Sequence, residues 1–512
     1  MKRISVVSAK PWRVFATAFA LAFLMMLAWS LATPLFAGPD ETAHVDRTVS
    51  LWRGQVVGWT MHGRSDAWTA VNAPRLYSDG AMPFPCFAFK DTVPASCEHI
   101  GHSRAVVPVA TYVGRYPPLY YAVVGWPSAA TTSTAGLYLM RFVSDLVSAL
   151  FVALAVAVVV VWSKSRLLLL GILVALTPTA LYCASVVNPS GLEISAALCL
   201  WCSGLVLALE RIDDPPRGLI VIMATSICVL VLTRPLSPLW AALILVVVAL
   251  LAGPRPVLRL LGRRDVRWAA LVALAATAFA IVWLFTQHAL DVPPSGAQVT
   301  PGETGGQIFA TAFGSWGFWF HQMVGTFGDD TASPLLTYVS WSVASGALLL
   351  LALACSRLRR AFVLGLLVVL VVFVPVLVEY ARARSVGFIW DGRYTIPLAI
   401  GIPLVAAVLI DHSTAMTSMR SRLTAVLGVG ITLGSFLAFA EALRRYTVGV
   451  TGPLDYFHGP WSPPWGALTL TLGYLAGSAL FTAFLWYLAT TEPPTAARKG
   501  ARTQPTEPAF AL

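Results

Sequence analysis

Apolar side chains occur along this chain in unbroken runs of about 20 residues, the length of a helix that crosses a membrane. The runs are continuous rather than alternating, which excludes the strands of a membrane barrel. They predict an all-α polytopic membrane protein of about 12 transmembrane helices, between about 11 and 13. The predicted spans lie near 13–36, 139–162, 167–187, 191–210, 218–233, 236–252, 268–290, 336–354, 361–379, 395–411, 423–442 and 466–489.

The composition of the chain supports the same class. Hydrophobic residues make up 57% of the 512 residues and charged residues only 12%, whereas a soluble domain carries roughly 25% charged residues. The apolar part of residues 1–36 is too long for a secretory signal and lacks a small-residue cleavage site, so we interpret it as a retained first helix. No Walker loop and no GxGxxG motif after a strand occurs, which argues against chemistry with ATP or nucleotide sugars.

The basic residues predict the orientation. With the N-terminus inside, every strongly basic short loop falls in the cytoplasm, as the positive-inside rule requires. These loops are 163–166, 211–217, 253–267, 356–360, 419–422 and 496–502. The net charge of +11 is then a consequence of topology, and we expect no nucleic-acid partner. Both termini are predicted to be cytoplasmic, and the tail 491–512, rich in Pro, Thr and Ala, is predicted to be disordered.

Three long loops face the outside in this topology, at 37–115, 291–335 and 443–465. We therefore expect a single membrane domain, 1–490, whose largest outer loop is the first. Cys86 and Cys97 lie in that loop, and an oxidising exterior favours a disulfide between them.

The sequence GPDETAH at 38–44 directly follows the first span. Asp40 and Glu41 fall where a new helix would begin, and a helix dipole stabilises acids there. That explains the residue types but not their place at the membrane rim. The other interpretation is a general base at the outer edge of the bilayer, with His44 four residues after Asp40 on the same helix face. Spacing alone leaves both interpretations open.

Arginines at the membrane rims form a second candidate group. A single rim arginine needs no partner, because it can reach the headgroups. As a set they run against the positive-inside trend, which indicates an anionic partner such as a lipid phosphate. Arg393, on a short outer connection between two spans, is the strongest candidate. The set comprises Arg47, Arg115, Arg234, Arg382, Arg384 and Arg393.

The second outer loop contains the adjacent acids Asp329 and Asp330. Two acids beside a glycine are typical of a solvated turn. The alternative is that they bind the acceptor or a divalent cation, and with Glu41 they are the candidate metal ligands. The aromatic residues at 316–320 fit either a membrane-interface belt or stacking on sugar rings.

Four motifs, in order, resemble a known family. They are GPDETAH (38–44), RYPPLYY (115–121), NPSGLE (188–193) and DGRYTIPL (391–398). They resemble the PDE-x-x-H, Pro-Pro-aromatic, Asn-Pro-Asp-Gly and Gly-Arg-Tyr elements of the bacterial polytopic proteins catalogued as domain of unknown function number 2142. The resemblance covers roughly residues 15–410. That family in turn resembles the GT-C superfamily of integral-membrane glycosyltransferases.

The resemblance implies a bacterial plasma-membrane enzyme with an extracytoplasmic active site. It would transfer a sugar from a polyprenyl-phosphate donor to a glycan or lipid acceptor of the cell envelope. Asp40 is expected to be the catalytic base, with Glu41 orienting it, binding the acceptor or binding a metal. The amino-acid composition is typical of bacteria with GC-rich genomes. If the source is an actinobacterium, arabinosyl or mannosyl transfer is expected. The expected substrate-binding residues are His44, Arg115, Tyr116, Arg234, Arg393 and Tyr394.

One motif departs from the family pattern. Ser190 stands where the family has an acid, with Glu193 three residues later, so we leave position 190 out of the catalytic set. Two other function classes remain: a transporter or flippase of a lipid-linked glycan, and a non-catalytic partner of an envelope assembly. Transporters usually show internal repeats and charges buried in mid-span, whereas the notable charges here lie at the rims. Asp40→Asn separates the classes, because only the enzyme would lose sugar transfer.

Overall fold

A computed structural model of the chain describes residues 10–61, 67–78, 84–210, 214–294, 296–328, 330–411 and 420–490. Helices dominate these residues, which confirms the predicted all-α polytopic class. The helices are α1 (Pro11–Ala32), α2 (Glu41–Leu51), α3 (Leu119–Gly125), α4 (Pro127–Ala130), α5 (Thr134–Trp162), α6 (Leu168–Ala175), α7 (Pro178–Ala184), α8 (Pro189–Leu209), α9 (Arg217–Val231), α10 (Ser237–Ala252), α11 (Pro254–Gly262), α12 (Arg264–Thr286), α13 (Gly305–Gly314), α14 (Trp316–Gly325), α15 (Leu335–Cys355), α16 (Leu358–Val386), α17 (Ile396–Ala399), α18 (Gly401–Asp411), α19 (Arg420–Val448) and α20 (Ala467–Thr490).

Within the described residues, nine helical stretches are long and apolar enough to cross a membrane, or up to ten with the pair α10–α11, which is bent by 111°. These coincide with ten of the predicted spans. The predicted span 167–187 is instead divided into α6 and α7, because Pro178 cannot continue the first helix and Thr177 caps the second by accepting from the Ala180 N–H. The predicted span 218–233 forms α9, which has only 15 residues.

Helix α8 lies at the centre of the bundle and α12 at its periphery. In the most apolar window of each helix, 89% of α8 is buried but only 17% of α12. Helix α1 packs against α5 and α20, and α5 packs against α8. Between residues 268 and 285, the exposed side chains of α12, such as Leu274 and Phe285, are apolar, as expected of a helix that faces lipid.

The segment between α1 and α5, residues 33–133 and called the cap below, contains the larger of two small sheets. Its strands β1 (Trp59–Thr60), β2 (Thr69–Pro74) and β3 (Val106–Thr111) pair in that order and antiparallel. Helix α2 packs against β2, β3 and α3. Strands β4 (Thr326–Phe327) and β5 (Thr331–Ala332) form a hairpin after α14. The first predicted outer loop therefore contains a folded α/β unit that holds α2 in place.

Candidate active site

A tight turn leads the chain from α1 into α2 and places Asp40 at the start of α2. Phe36 and Asp40 both adopt a left-handed backbone, with φ of 64° and 57°, a conformation that non-glycine residues seldom adopt. Asp40 occupies the N-cap position of α2, but its side chain accepts no hydrogen bond from the helix backbone. Helix capping alone therefore does not explain this carboxylate.

The Asp40 carboxylate instead binds two residues that are remote in sequence. One oxygen accepts a hydrogen bond from the Tyr112 hydroxyl, one residue beyond β3. The other accepts from Arg393 Nη2 at 2.6 Å. The Asp40 side chain is 27% exposed, whereas that of Arg393 is 6% exposed. The acid of the first motif thus meets the arginine of the last, as a shared site requires.

These contacts set the protonation state of Asp40. Burial alone would raise its pKa, but the charge of Arg393, together with the hydrogen bond from Tyr112 and the charge of Arg234, outweighs burial and lowers it below the ordinary value. Burial, and then the charge of Asp40, raise the pKa of Tyr112 well above its usual range. Asp40 is therefore an ionised acceptor and Tyr112 a neutral donor at physiological pH.

Arg393 is held by a rigid backbone turn. Its own N–H donates to the Asp391 carboxylate at 3.0 Å, and the preceding Gly392 N–H donates to Gln322 Oε1 at 2.8 Å. A Cβ atom at position 392 would clash with the Trp319 carbonyl, so only glycine fits there. Asp391 also faces the guanidinium, with 3.3 Å between Oδ2 and Nη1.

Arg234, between α9 and α10, is a second buried arginine of the site. It donates to the Ser190 hydroxyl and lies 3.7 Å from a carboxylate oxygen of Glu193. Ser237 donates to the other Glu193 oxygen at 2.6 Å. Ser190 and Glu193 belong to the NPSGLE motif, the one that departs from the family pattern. These two residues of α8 therefore hold Arg234 in place.

Tyr394 joins the two arginines. The guanidinium carbons of Arg234 and Arg393 lie 4.7 and 5.2 Å from the centre of its ring, close enough for cation–π attraction. Tyr116 is hydrogen-bonded to Arg234, and burial raises its pKa although the charge of Arg234 and that bond act to lower it. Two cations and two phenols therefore lie together on one side of Asp40.

Glu41 lies next to Asp40 in sequence but makes different contacts. Arg141 of α5 holds both of its oxygens, at 2.7 and 2.5 Å. The N–H groups of Gly38 and Val187 also donate to them. The remaining Arg141 donors bind the carbonyls of Ser30, Thr33 and Pro34, in the turn that precedes Asp40. These contacts tie Glu41 to the turn that precedes Asp40.

His44 contacts α3 through its ring. Its Nδ1 lies 2.9 Å from the Tyr121 hydroxyl. Burial lowers the pKa of His44 to about 3, so the ring is neutral at physiological pH. In this state it can share a hydrogen bond with Tyr121, but it adds no charge.

The other rim arginines mainly bind backbone or strand residues. Arg115 donates to the Thr60 hydroxyl of β1 at 2.8 Å, on the exposed side of the cap. Arg47 donates to the carbonyls of Gln55, Val56 and Tyr116. Arg382 and Arg384 donate to the carbonyls of Leu290 and Glu303. From the predicted set, Arg234 and Arg393 are the two that act on the charge of Asp40.

A cavity of about 580 Å³ adjoins Asp40 on the side of β3. Asp330 is one of its lining residues and pairs with Arg445 of α19 at 2.7 Å. Asp329 lies outside the described residues. The cavity is lined by Phe36, Ala37, Gly38, Asp40, Glu41, Thr42, Ala43, Asp46, Trp68, Phe84, Pro85, Phe87, Ala88, Phe89, Ala110, Tyr112, Gly328, Asp330, Arg445 and Tyr446.

A disulfide between Cys86 and Cys97 closes the part of the cap that forms one cavity wall, with 6.1 Å between the two Cα atoms. Arg445 fixes the same segment by donating to the carbonyls of Phe87, Lys90 and Val93. Among the described residues, no three His, Cys, Asp or Glu side chains come together as a metal site would require.

Sequence reasoning missed Tyr112, Arg141 and Arg445. Arg141 was detectable, because an arginine within the apolar span 139–162 signals a buried partner. Tyr112 lies 72 residues from Asp40, and only the pairing of β2 with β3 brings it to the site. Arg445 falls just beyond a predicted span and resembles any rim arginine.

Comparison with known families identifies one match, the family described as "Predicted membrane protein (DUF2142)". It covers residues 23–402, more than half of the chain. This range includes Asp40, Arg234 and Arg393. No curated protein matches the chain.

Two solved structures of ArnT from Cupriavidus metallidurans are similar to this chain. The structure bound to undecaprenyl phosphate has 14% sequence identity and a TM-score of 0.45. The structure in the apo state has 15% identity and a TM-score of 0.43. Each match covers 94% of this chain and 76% of ArnT.

Proposed function

We propose that this chain, which belongs to the DUF2142 family of predicted membrane proteins, is a GT-C-type membrane glycosyltransferase. It transfers a sugar from a polyprenyl-phosphate donor to a hydroxyl of a cell-envelope glycan or lipid, on the extracytoplasmic face of a bacterial plasma membrane. The observation that carries the proposal is the place of Asp40. This carboxylate lies between two buried arginines and a cavity of about 580 Å³.

The reaction needs one base and one anion-binding group. Asp40 accepts the proton of the acceptor hydroxyl, and that oxygen attacks the anomeric carbon of the donor sugar. The bond between this carbon and the phosphate oxygen breaks, and the phosphate keeps the electron pair. The products are the glycoside, with inverted configuration, and the polyprenyl phosphate. Arg393 and Arg234 stabilise the negative charge of the departing phosphate.

The ion pair of Arg393 and Asp40 implies that the donor binds before the acceptor is activated. While Arg393 donates to Asp40 at 2.6 Å, the carboxylate has a lowered pKa and is a poor base. A donor phosphate competes for the same guanidinium, since arginine binds phosphate as readily as carboxylate. Donor binding would therefore weaken the pair and raise the basicity of Asp40 when the acceptor arrives.

The groups at the site favour a sugar donor that is linked to a lipid phosphate. Outside the cytoplasm a sugar has to be activated on a lipid carrier, and the sequence carries no recognisable nucleotide-binding loop. Arg234 and Arg393 are both buried, and they supply fixed donors for a phosphate. Tyr394, between them, offers a hydroxyl and a ring face.

The test is transfer of labelled sugar from a panel of polyprenyl-phosphate sugars, in membranes that contain wild-type protein or Asp40→Asn at matched expression. We expect the variant to lose transfer by roughly 10²- to 10⁴-fold, the usual contribution of a general base. Asp391→Asn is the matched control, because it also removes a carboxylate beside Arg393 but leaves Asp40 in place. It should retain most of the activity.

Equal transfer by wild type and Asp40→Asn would contradict the proposed base. The same assay addresses the transporter hypothesis, because a flippase would move the labelled lipid without forming a glycosylated product. A non-catalytic partner would form no product with any donor in the panel.

A further inference from the structure

Two faces of α2 serve different parts of the site. His44 and Arg47, three residues apart, face α3 and the backbone of the cap. Thr42, Ala43 and Asp46 share another face, since Asp46 follows the other two by four and three residues, and all three line the cavity beside Asp40. Helix α2 thus presents a second acid to the cavity, six residues after the proposed base.

Asp46 is unusual among the acids of this chain. Its side chain is 1% exposed, and neither carboxylate oxygen has a hydrogen-bond partner in the described part of the chain. A buried polar group without a partner costs about 1–3 kcal/mol, so a purely structural reason for an acid here is lacking. Burial raises the pKa of Asp46 well above its ordinary value. Burial thus favours the protonated carboxyl, which can both donate and accept a hydrogen bond.

The cavity walls indicate what Asp46 would bind. Most of the lining is aromatic or aliphatic, and Phe84 and Phe89 pack edge to face while remaining 60% and 58% exposed. Trp68 and Tyr112 pack edge to face at 5.7 Å on the wall next to Asp40. Flat apolar faces with a few polar groups, in a volume of about 580 Å³, fit a small ligand with alternating apolar and hydroxyl surfaces. A sugar ring has this character.

We propose that this cavity binds a sugar ring of the acceptor, and that Asp46 hydrogen-bonds an acceptor hydroxyl other than the one that reacts at Asp40. The identity of the ligand rests on the proposed function. Asp46 then determines which acceptor is used and how its ring is turned, while Asp40 performs the proton transfer. The ion pair of Asp330 and Arg445 also lines the cavity.

The test measures sugar binding without turnover. The probes are methyl glycosides of mannose, arabinose, galactose and glucose, titrated against the purified full-length chain and followed by saturation-transfer NMR. We expect saturable binding of at least one probe by wild type, and at least about tenfold weaker binding by Asp46→Leu, which corresponds to about 1.4 kcal/mol. Asp46→Asn, which keeps one donor and one acceptor, should lose less.

The control is Glu98→Gln. Glu98 also has a buried oxygen without a partner in the described residues, and it lies in the cap but not among the residues that line the cavity. The Glu98→Gln variant should bind the probes as wild type does.

Thermal unfolding distinguishes a binding role of Asp46 from a structural one, because a residue that stabilises the fold would lower the unfolding temperature when it is replaced. Asp46→Leu should unfold at the same temperature as wild type or higher, because it removes an unsatisfied buried group.

Saturable binding that is equal in wild type and Asp46→Leu would overturn the proposal, and so would the absence of binding of any probe to wild type. These outcomes are independent of transfer. If Asp40→Asn abolishes transfer while Asp46→Leu binds normally, the enzyme stands and the role of Asp46 falls. If no donor is used but binding depends on Asp46, the sugar site stands and the transferase falls.

Discussion

The pairing of Arg393 with Asp40 leads to a sharp prediction about pH. Replacing Arg393 by Gln removes the charge that lowers the pKa of Asp40 and leaves burial, which raises it. A general base acts in its deprotonated form, so activity falls as the pH drops through its pKa. The acid limb of the pH–rate profile should therefore move to higher pH in Arg393→Gln.

The size of the shift follows from the contact. Arg393 Nη2 and Asp40 Oδ2 are 2.6 Å apart, and a hydrogen bond to a charged group is worth about 1.5–3 kcal/mol. Because about 1.4 kcal/mol corresponds to one pH unit, the limb should move up by about 1 to 2 pH units. The Asp40 side chain is 27% exposed, so solvent screening favours the lower half of this range.

The assay is sugar transfer at limiting donor across a range of pH, because kcat/KM for the donor reports the pKa of the free enzyme, in which Arg393 is still paired with Asp40. Arg393→Lys should give a smaller shift, since it keeps a positive charge but loses the planar guanidinium. Arg382→Gln is the control. Arg382 is also a rim arginine, but it binds the Leu290 carbonyl and is not among the charges that act on Asp40.

An acid limb that coincides in wild type and Arg393→Gln, with activity still measurable, would refute this reasoning. Asp40 would then either not be the base or not be coupled to Arg393 in the working enzyme. A shift of the same size in Arg382→Gln would show that the profile reports the overall charge of the surface and not this pair.

Two predictions concern the residues that hold the site in place. Arg141→Gln leaves Glu41 buried without its ionic partner and should lower the free energy of unfolding by about 3–5 kcal/mol; thermal unfolding in detergent measures this, and recovery in the double variant with Glu41→Gln would confirm the cause, whereas an unchanged midpoint would contradict it. Replacing Cys86 and Cys97 together by Ser should lower the free energy of unfolding by about 2–3 kcal/mol, given their separation of 11 residues. Reductant should have the same effect on wild type and none on the double variant, and a wild-type midpoint insensitive to reductant would contradict the prediction.

Hydropathy predicted ten helical stretches that are long and apolar enough to cross a membrane. A run of about 20 apolar residues is a specific signal for such a helix. Hydropathy failed at 167–187 for a physical reason. An apolar average does not register that Pro178 forces the preceding residue out of the helical region, although the proline itself was visible. The same hydropathy average predicted α9 as a membrane span. Apolar character alone does not show that this helix has only 15 residues, fewer than the roughly 20 that a membrane-crossing helix needs.

Within the candidate site, the residues proposed from the sequence lie in short motifs at the ends of spans. Asp40 and Arg393 were predicted separately, and the fold brings them into contact. The division of labour between Asp40 and Glu41 was not predictable, because adjacent residues look equivalent until a partner such as Arg141 selects one of them. Asp46 gave no signal, since an acid on a polar helix is ordinary until burial and the absence of a partner are known.

The distance along the chain between Asp40 and Arg393 also bears on biosynthesis. The two residues are separated by 353 positions, which the ribosome adds in between about 20 and 70 s at typical rates. During that time the acid has been synthesised but its basic partner has not. The site is therefore completed only after the helices between them have been delivered to the membrane. A chain released early carries the acid motif without Arg393, so a truncated product lacks the ion pair that joins the first and last motifs.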